Sequence, residues 1–122
     1  FGAFTEVINN EIERYVPFLA TTKILMAALK AGVGREVAHE VIKEHAVKAA
    51  LDIRAGKPNT MIAAIAEDLR IPLDKSALLA LLAKPLEFTG DALGQVKRVV
   101  GRIDAISAAY PEASKYRPGS IR

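Results

Sequence analysis

The chain has 122 residues, with 17 Lys and Arg against 14 Asp and Glu, a formal charge of +3, half of its residues hydrophobic and a quarter charged. That size fits one domain, and the balance is that of a chain able to bury a core rather than of a disordered tail. The lack of Cys excludes a disulfide framework, a thiolate zinc site and a cysteine nucleophile.

Period-two alternation of Val, Ile and aromatics is nearly absent, and Ala, Leu, Lys and Glu dominate, so an all-α fold is expected. Residues 3 to 16 place Phe4, Val7, Ile8, Ile12 and Tyr15 on one stripe, with Pro17 expected to end or kink that helix. A second helix is expected from about Thr22 to Ala31, capped by Thr21 or Thr22 and stopped by Gly32. It is apolar on nearly every side and so should be the most buried. Apolar residues at Ala38, Val41, Ile42, Ala49 and Ile53 mark the longest helix, from Gly34 to Ala55, with Gly56 at its C-cap.

After a loop at Lys57, Pro58 and Asn59, Thr60 is expected to cap a short helix through Leu69 that Pro72 breaks. Asp74 is the expected N-cap for Lys75 to Ala83, closed by Pro85. A last helix should run from about Asp91 to Ala109, ahead of an irregular tail from Pro111 to Arg122. The sum is about six helices with short connections, hence a compact bundle. Charges interrupt every apolar run well short of the roughly 20 residues of a membrane span. No transmembrane helix, signal peptide or membrane partner is therefore expected. The chain starts with Phe, and an amphipathic pattern is running by Phe4, so it is expected to be a piece of something longer.

His39 and His45 are the obvious titratable groups, in the string His39-Glu40-Val41-Ile42-Lys43-Glu44-His45. Zincin spacing needs a second His at position 43, which is Lys, and the six-residue separation turns the rings about 120° apart. No metal site is expected. His45 falls in the apolar stripe as a hydrogen-bonded core His, whereas His39 lies about 100° away and can face solvent, a groove or another chain. Gly32-Val33-Gly34 has neither a preceding strand nor a third Gly, so helix termination and restart explain it better than a phosphate loop. No Ser stands in a nucleophile elbow or a Ser-x-x-Lys pairing, and no catalytic residue is assigned. From Lys97 onward six cations face two acids, a possible nucleic-acid footprint, although the whole chain has only seven aromatics for stacking.

The run Glu13-Arg14-Tyr15-Val16-Pro17-Phe18-Leu19-Ala20-Thr21-Thr22-Lys23-Ile24-Leu25-Met26, then Lys30-Ala31-Gly32, then Gly34-Arg35-Glu36-Val37-Ala38-His39-Glu40, resembles the C-terminal region of adenylosuccinate lyase. Phe88-Thr89-Gly90-Asp91-Ala92 with Gln95-Val96 is similar to the start of the final helix in the same family, and the resemblance covers about residues 11 to 105. It implies a homotetrameric, cytoplasmic enzyme of the fumarase and aspartase superfamily, needing no metal or cofactor. Such an enzyme eliminates fumarate from adenylosuccinate and from the succinylated carboxamide ribotide of purine synthesis.

The resemblance further implies that residues 1–19 end a long helix of a central bundle and that residues 20–122 form the small helical C-terminal domain. The partners would be the rest of the parent chain, its tetramer and a nucleotide substrate. The family's Ser-Ser-x-Met-Pro loop and upstream His segments do not occur in this sequence, so the catalytic residues cannot be carried over and the fragment alone is expected to be inactive. Because the family's C-terminal domain lies near the active-site mouth, Thr21, Thr22, Lys23, Arg35 and His39 are the substrate-facing candidates, set against their plainer reading as caps and surface charge. The alternative function is a freestanding basic helical module that binds nucleic acid or an acidic partner.

Overall fold

The computed structural model describes residues 2–120, in which helices joined by turns and irregular segments occur and no strand is found. Seven α-helices occur among them: α1 (Thr5–Leu19), α2 (Thr21–Lys30), α3 (Arg35–Arg54), α4 (Met61–Ala66), α5 (Lys75–Leu82), α6 (Ala92–Ala109) and α7 (Pro111–Lys115). A 3₁₀ helix, Pro85–Thr89, lies between α5 and α6. The chain divides into two compact units, one ending at Phe88 and one beginning at Thr89.

In the first unit α2 packs on α1, α3 and α5, and α4 packs on α3 and α5. The core is small and aliphatic: Ile24 and Ala28 from α2, Ala38, Val41 and Ile42 from α3, Met61 and Ile65 from α4, and Leu78 from α5. Burial is densest on α4, where three of six residues are buried, rather than on α2 as the sequence suggests. The cause is spacing: α2 turns one face to the core and buries only Ile24 and Ala28 there, so Met26 on the opposite face is half exposed, while the six-residue α4 buries Met61, Ile62 and Ile65 against α3 and α5.

Two helix ends follow from glycine. Gly32, at φ +90°, donates its N–H to the Leu29 carbonyl while Val33 donates to Ala28, and Gly56, at φ +79°, repeats the pattern with Ile53 and, through Lys57, with Asp52. These are Schellman stops, in which a residue without Cβ takes the left-handed turn and the orphan carbonyls are satisfied. Gly34 then stands in extended backbone as the N-cap of α3, the restart expected for the Gly32-Val33-Gly34 string.

Other boundaries differ from expectation for local reasons. Pro17 does not end α1, which continues to Leu19. A proline ring removes the backbone bond to the carbonyl four residues back, here that of Glu13, and the Asn59 amide donates to the next carbonyl, that of Arg14, at 2.8 Å. Neither Thr21 nor Thr22 caps α2. Ala20 is itself helical, so α1 passes almost directly into α2, and the Thr21 hydroxyl donates back to the Phe18 carbonyl at 3.0 Å.

Helix α4 stops at Ala66 rather than Leu69 because the Asp68 carboxylate accepts the Arg70 backbone N–H at 3.0 Å, an Asx turn that competes with the helix. Thr60 holds the N-cap position without a side-chain bond, and Asn59 Oδ1 accepts from the Met61 N–H instead. Asp74 does cap α5, accepting from the Ala77 N–H at 2.7 Å.

The second unit consists of α6 and α7 with their flanking segments. The tail expected to be irregular from Pro111 forms a helical turn to Lys115, started by Pro111 at the first position and closed by the Ser114 hydroxyl donating to the Pro111 carbonyl. The last two residues of that expected tail, Ile121 and Arg122, lie outside the described residues.

Candidate functional site

Three of the five substrate-facing candidates meet in one place. A groove of about 330 Å³ runs between α2 and α3, with Thr21, Thr22 and Leu25 on one wall and His39, Ile42, Lys43 and Ala46 on the other. Helical spacing builds each wall: Thr21, Thr22 and Leu25 fall within one turn of α2, and His39, Ile42, Lys43 and Ala46 follow the i, i+3, i+4, i+7 pattern of one α3 face. Buried Ile42 gives the groove an apolar floor, and two hydroxyls, an imidazole and an ammonium give it a polar rim.

The rim groups are available in different degrees. The Thr21 hydroxyl spends its proton on the Phe18 carbonyl and offers its lone pairs. His39 and Thr22 are exposed. Lys43 Nζ stands 3.4 Å from Glu40 Oε2, a pair with both side chains more than half exposed, which screening leaves weak and exchangeable. Such a rim can hold an anionic or hydroxyl-rich group by hydrogen bonds and charge. It brings together no nucleophile with a general base.

Lys23 and Arg35 do not line this groove. Lys23 reaches Glu87 Oε2 at 2.7 Å with its ammonium 4.3 Å from the Phe88 ring centroid, tying α2 to the 3₁₀ helix. That hydrogen bond holds the Glu87 carboxyl below its ordinary value. Arg35 is exposed in the first turn of α3.

Lys43 lines the groove without being among the sequence candidates, although the signal for its position is in the sequence. The i+4 position from His39 fails as a zinc ligand because it is Lys, and that same spacing puts the Lys on the His39 face. The other His has a structural place. His45 Nε2 lies 2.9 Å from Asp68 Oδ2, mostly buried, in a network where Arg70 also binds Asp68 and Glu44. Arg70 is the larger cause, and His45 the next, holding the Asp68 carboxyl well below the usual carboxylate range.

Two further grooves have a different chemistry. The space between α1, α4 and α5, about 450 Å³, is lined mainly by Ile12, Val16, Pro17, Ile62, Leu79 and Leu82. A shallow apolar trough follows the stripe of α1, whose Val7, Ile8, Tyr15 and Leu19 are exposed, as is Phe4 just ahead of the helix. Among the described residues no three His, Asp or Glu side chains are grouped as metal ligands, and no helix is long and apolar enough to cross a membrane.

The fold and the groove define an all-α helical domain, and the fold by itself assigns it no activity. The family model described as adenylosuccinate lyase C-terminus matches residues 17–99, more than half of the chain, and the chain belongs to that family. The match includes α2 to α5 in full and both walls of the groove.

Proposed function

We propose that the chain serves as the C-terminal helical domain of an adenylosuccinate lyase, the carbon–nitrogen lyase that eliminates fumarate from adenylosuccinate to give AMP and from the succinylated carboxamide ribotide of purine biosynthesis. The observation that carries this reading is the family match over residues 17–99. On it, the catalytic base and acid come from other segments of a cytoplasmic homotetrameric parent, no cofactor is required, and the isolated chain is inactive. Residues 1–19 end a helix of the parent's central bundle, and the uncovered stripe of Phe4, Val7, Ile8 and Tyr15 supports that placement. The groove of Thr21, Thr22, His39 and Lys43 faces the cleft and holds an anionic group of the nucleotide substrate.

The test has two arms. The purified 122-residue chain, incubated with adenylosuccinate, releases no fumarate, and measurable turnover overturns the inactive-fragment reading. In the source gene, the frame upstream of the Phe1 codon encodes a Ser-rich loop and separate His segments. A start codon immediately before Phe1 overturns the parent-lyase reading and leaves a freestanding module.

A further inference from the structure

Helix α6 carries a row of large side chains that nothing in its unit covers. Leu93, Val96, Val100 and Ile103, at the a and d spacing of a heptad, are between 48% and 58% exposed. Ser107 and Tyr110 continue the row. One border of the row is apolar, with Val99 and Ile106 one heptad apart and both more than half exposed. The other border carries Lys97 and Asp104, again one heptad apart and opposite in charge.

This asymmetry between borders selects an occupant. We infer that α6 is a self-pairing seam, docking antiparallel on α6 of a second copy of this chain about a two-fold axis that passes between residues 101 and 102. A two-fold interface must be self-complementary, so a residue i of one copy that meets residue j of the other is matched by j of the first meeting i of the second. In the antiparallel register Val100 faces Ile103 of the second copy, Val96 faces Ser107 and Leu93 faces Tyr110. Like borders then meet: Lys97 of each copy reaches Asp104 of the other, and Val99 packs on Ile106. In a parallel pair unlike borders meet, which sets the Asp104 carboxylate against Val99 and leaves Lys97 without its acid.

Arg98 is turned outward and held by Asp91 at 2.6 Å, and the bridge spans Gly94, where a Cβ would collide with the Asp91 carboxylate. The area is that of a weak, reversible pair. The fourteen half-exposed large side chains of two such helices, at roughly 70 Å² each, supply about 1,000 Å², the lower limit for a specific interface.

The proposal is tested on the 122-residue chain by sedimentation over a concentration series. A reversible dimer is expected, with Ile103→Glu monomeric while the thermal transition of the first unit is unchanged. Lys97→Asp and Asp104→Lys, each replacing two attractive contacts by two repulsive ones, weaken the dimer by about tenfold, and the double exchange restores it. Because the chain has no Cys, orientation is read by oxidation. A mixture of Val96→Cys and Ser107→Cys chains gives the crossed disulfide, and Val100→Cys alone gives none. A chain that stays monomeric at every concentration, a dimer indifferent to the α6 variants, or a Val100→Cys disulfide without the crossed one overturns the proposal.

Discussion

His45 Nε2 and Asp68 Oδ2 stand 2.9 Å apart although 23 residues separate them in the chain, and this contact pins the middle of α3 to the turn that ends α4. Arg70 closes the turn from the other side, with Nε 2.9 Å from Asp68 Oδ1 and Nη2 2.6 Å from Glu44 Oε2. Asp68 is thus the acceptor at the centre of a bond set that spans two helices, and its side chain is only 11% exposed.

Replacing Asp68 by Ala leaves His45 and the Arg70 backbone N–H without their acceptor. The expected loss is about 1–2 kcal/mol of unfolding free energy, read from urea transitions at pH 7. Glu44→Ala, which removes a single exposed contact with Arg70, has a smaller effect in the same measurement.

The same carboxylate gives the protein an acid limit. Its folded pKa lies below the ordinary 3.8, so its contribution is fully present above that value and is lost as pH falls through the folded value. Glu44, Asp52 and Glu87 are shifted in the same direction by Arg70, by Lys57 with Lys48, and by Lys23 respectively. Stability is therefore expected to decline from about pH 4 downward. Thermal unfolding followed from pH 7 to pH 2 shows this decline, and it is shallower in Asp68→Asn.

Core truncation separates the buried from the merely apolar. Ile24, Met61 and Leu78 are fully buried, and each replacement by Ala is expected to cost about 2–5 kcal/mol through lost transfer energy and a residual cavity. Leu69, fully exposed in the turn after α4, is expected to change stability by less than about 0.5 kcal/mol on replacement by Ala. Parallel denaturant titrations of the four variants check both values.

The start of α4 distinguishes two neighbouring polar residues. Asn59→Ala removes both the cap on the Met61 N–H and the donation to the Arg14 carbonyl, at a cost of about 1–2 kcal/mol. Thr60→Ala removes no side-chain cap and is expected to be nearly neutral. Equal destabilisation by the two would show that the hydroxyl, not the amide, caps the helix.

Much of the fold is local and was legible as such. The glycine stops at Gly32 and Gly56, the Asp74 cap and the full length of α3 depend on residues within a turn of one another, so composition and spacing determine them. His45 as a bonded, mostly buried His followed from its place on the α3 stripe, but its partner did not, because Asp68 is a contact across sequence. What only the tertiary structure decided are the events that bring distant segments together. Asn59 meets the Arg14 carbonyl of α1, Lys23 turns away from the candidate site to Glu87, and α2 and α3 close a groove around Thr21, Thr22, His39 and Lys43. Helical periodicity reports which face a side chain occupies and is silent on which other face it will meet. That pairing is set by how the apolar stripes of separate helices pack to exclude water.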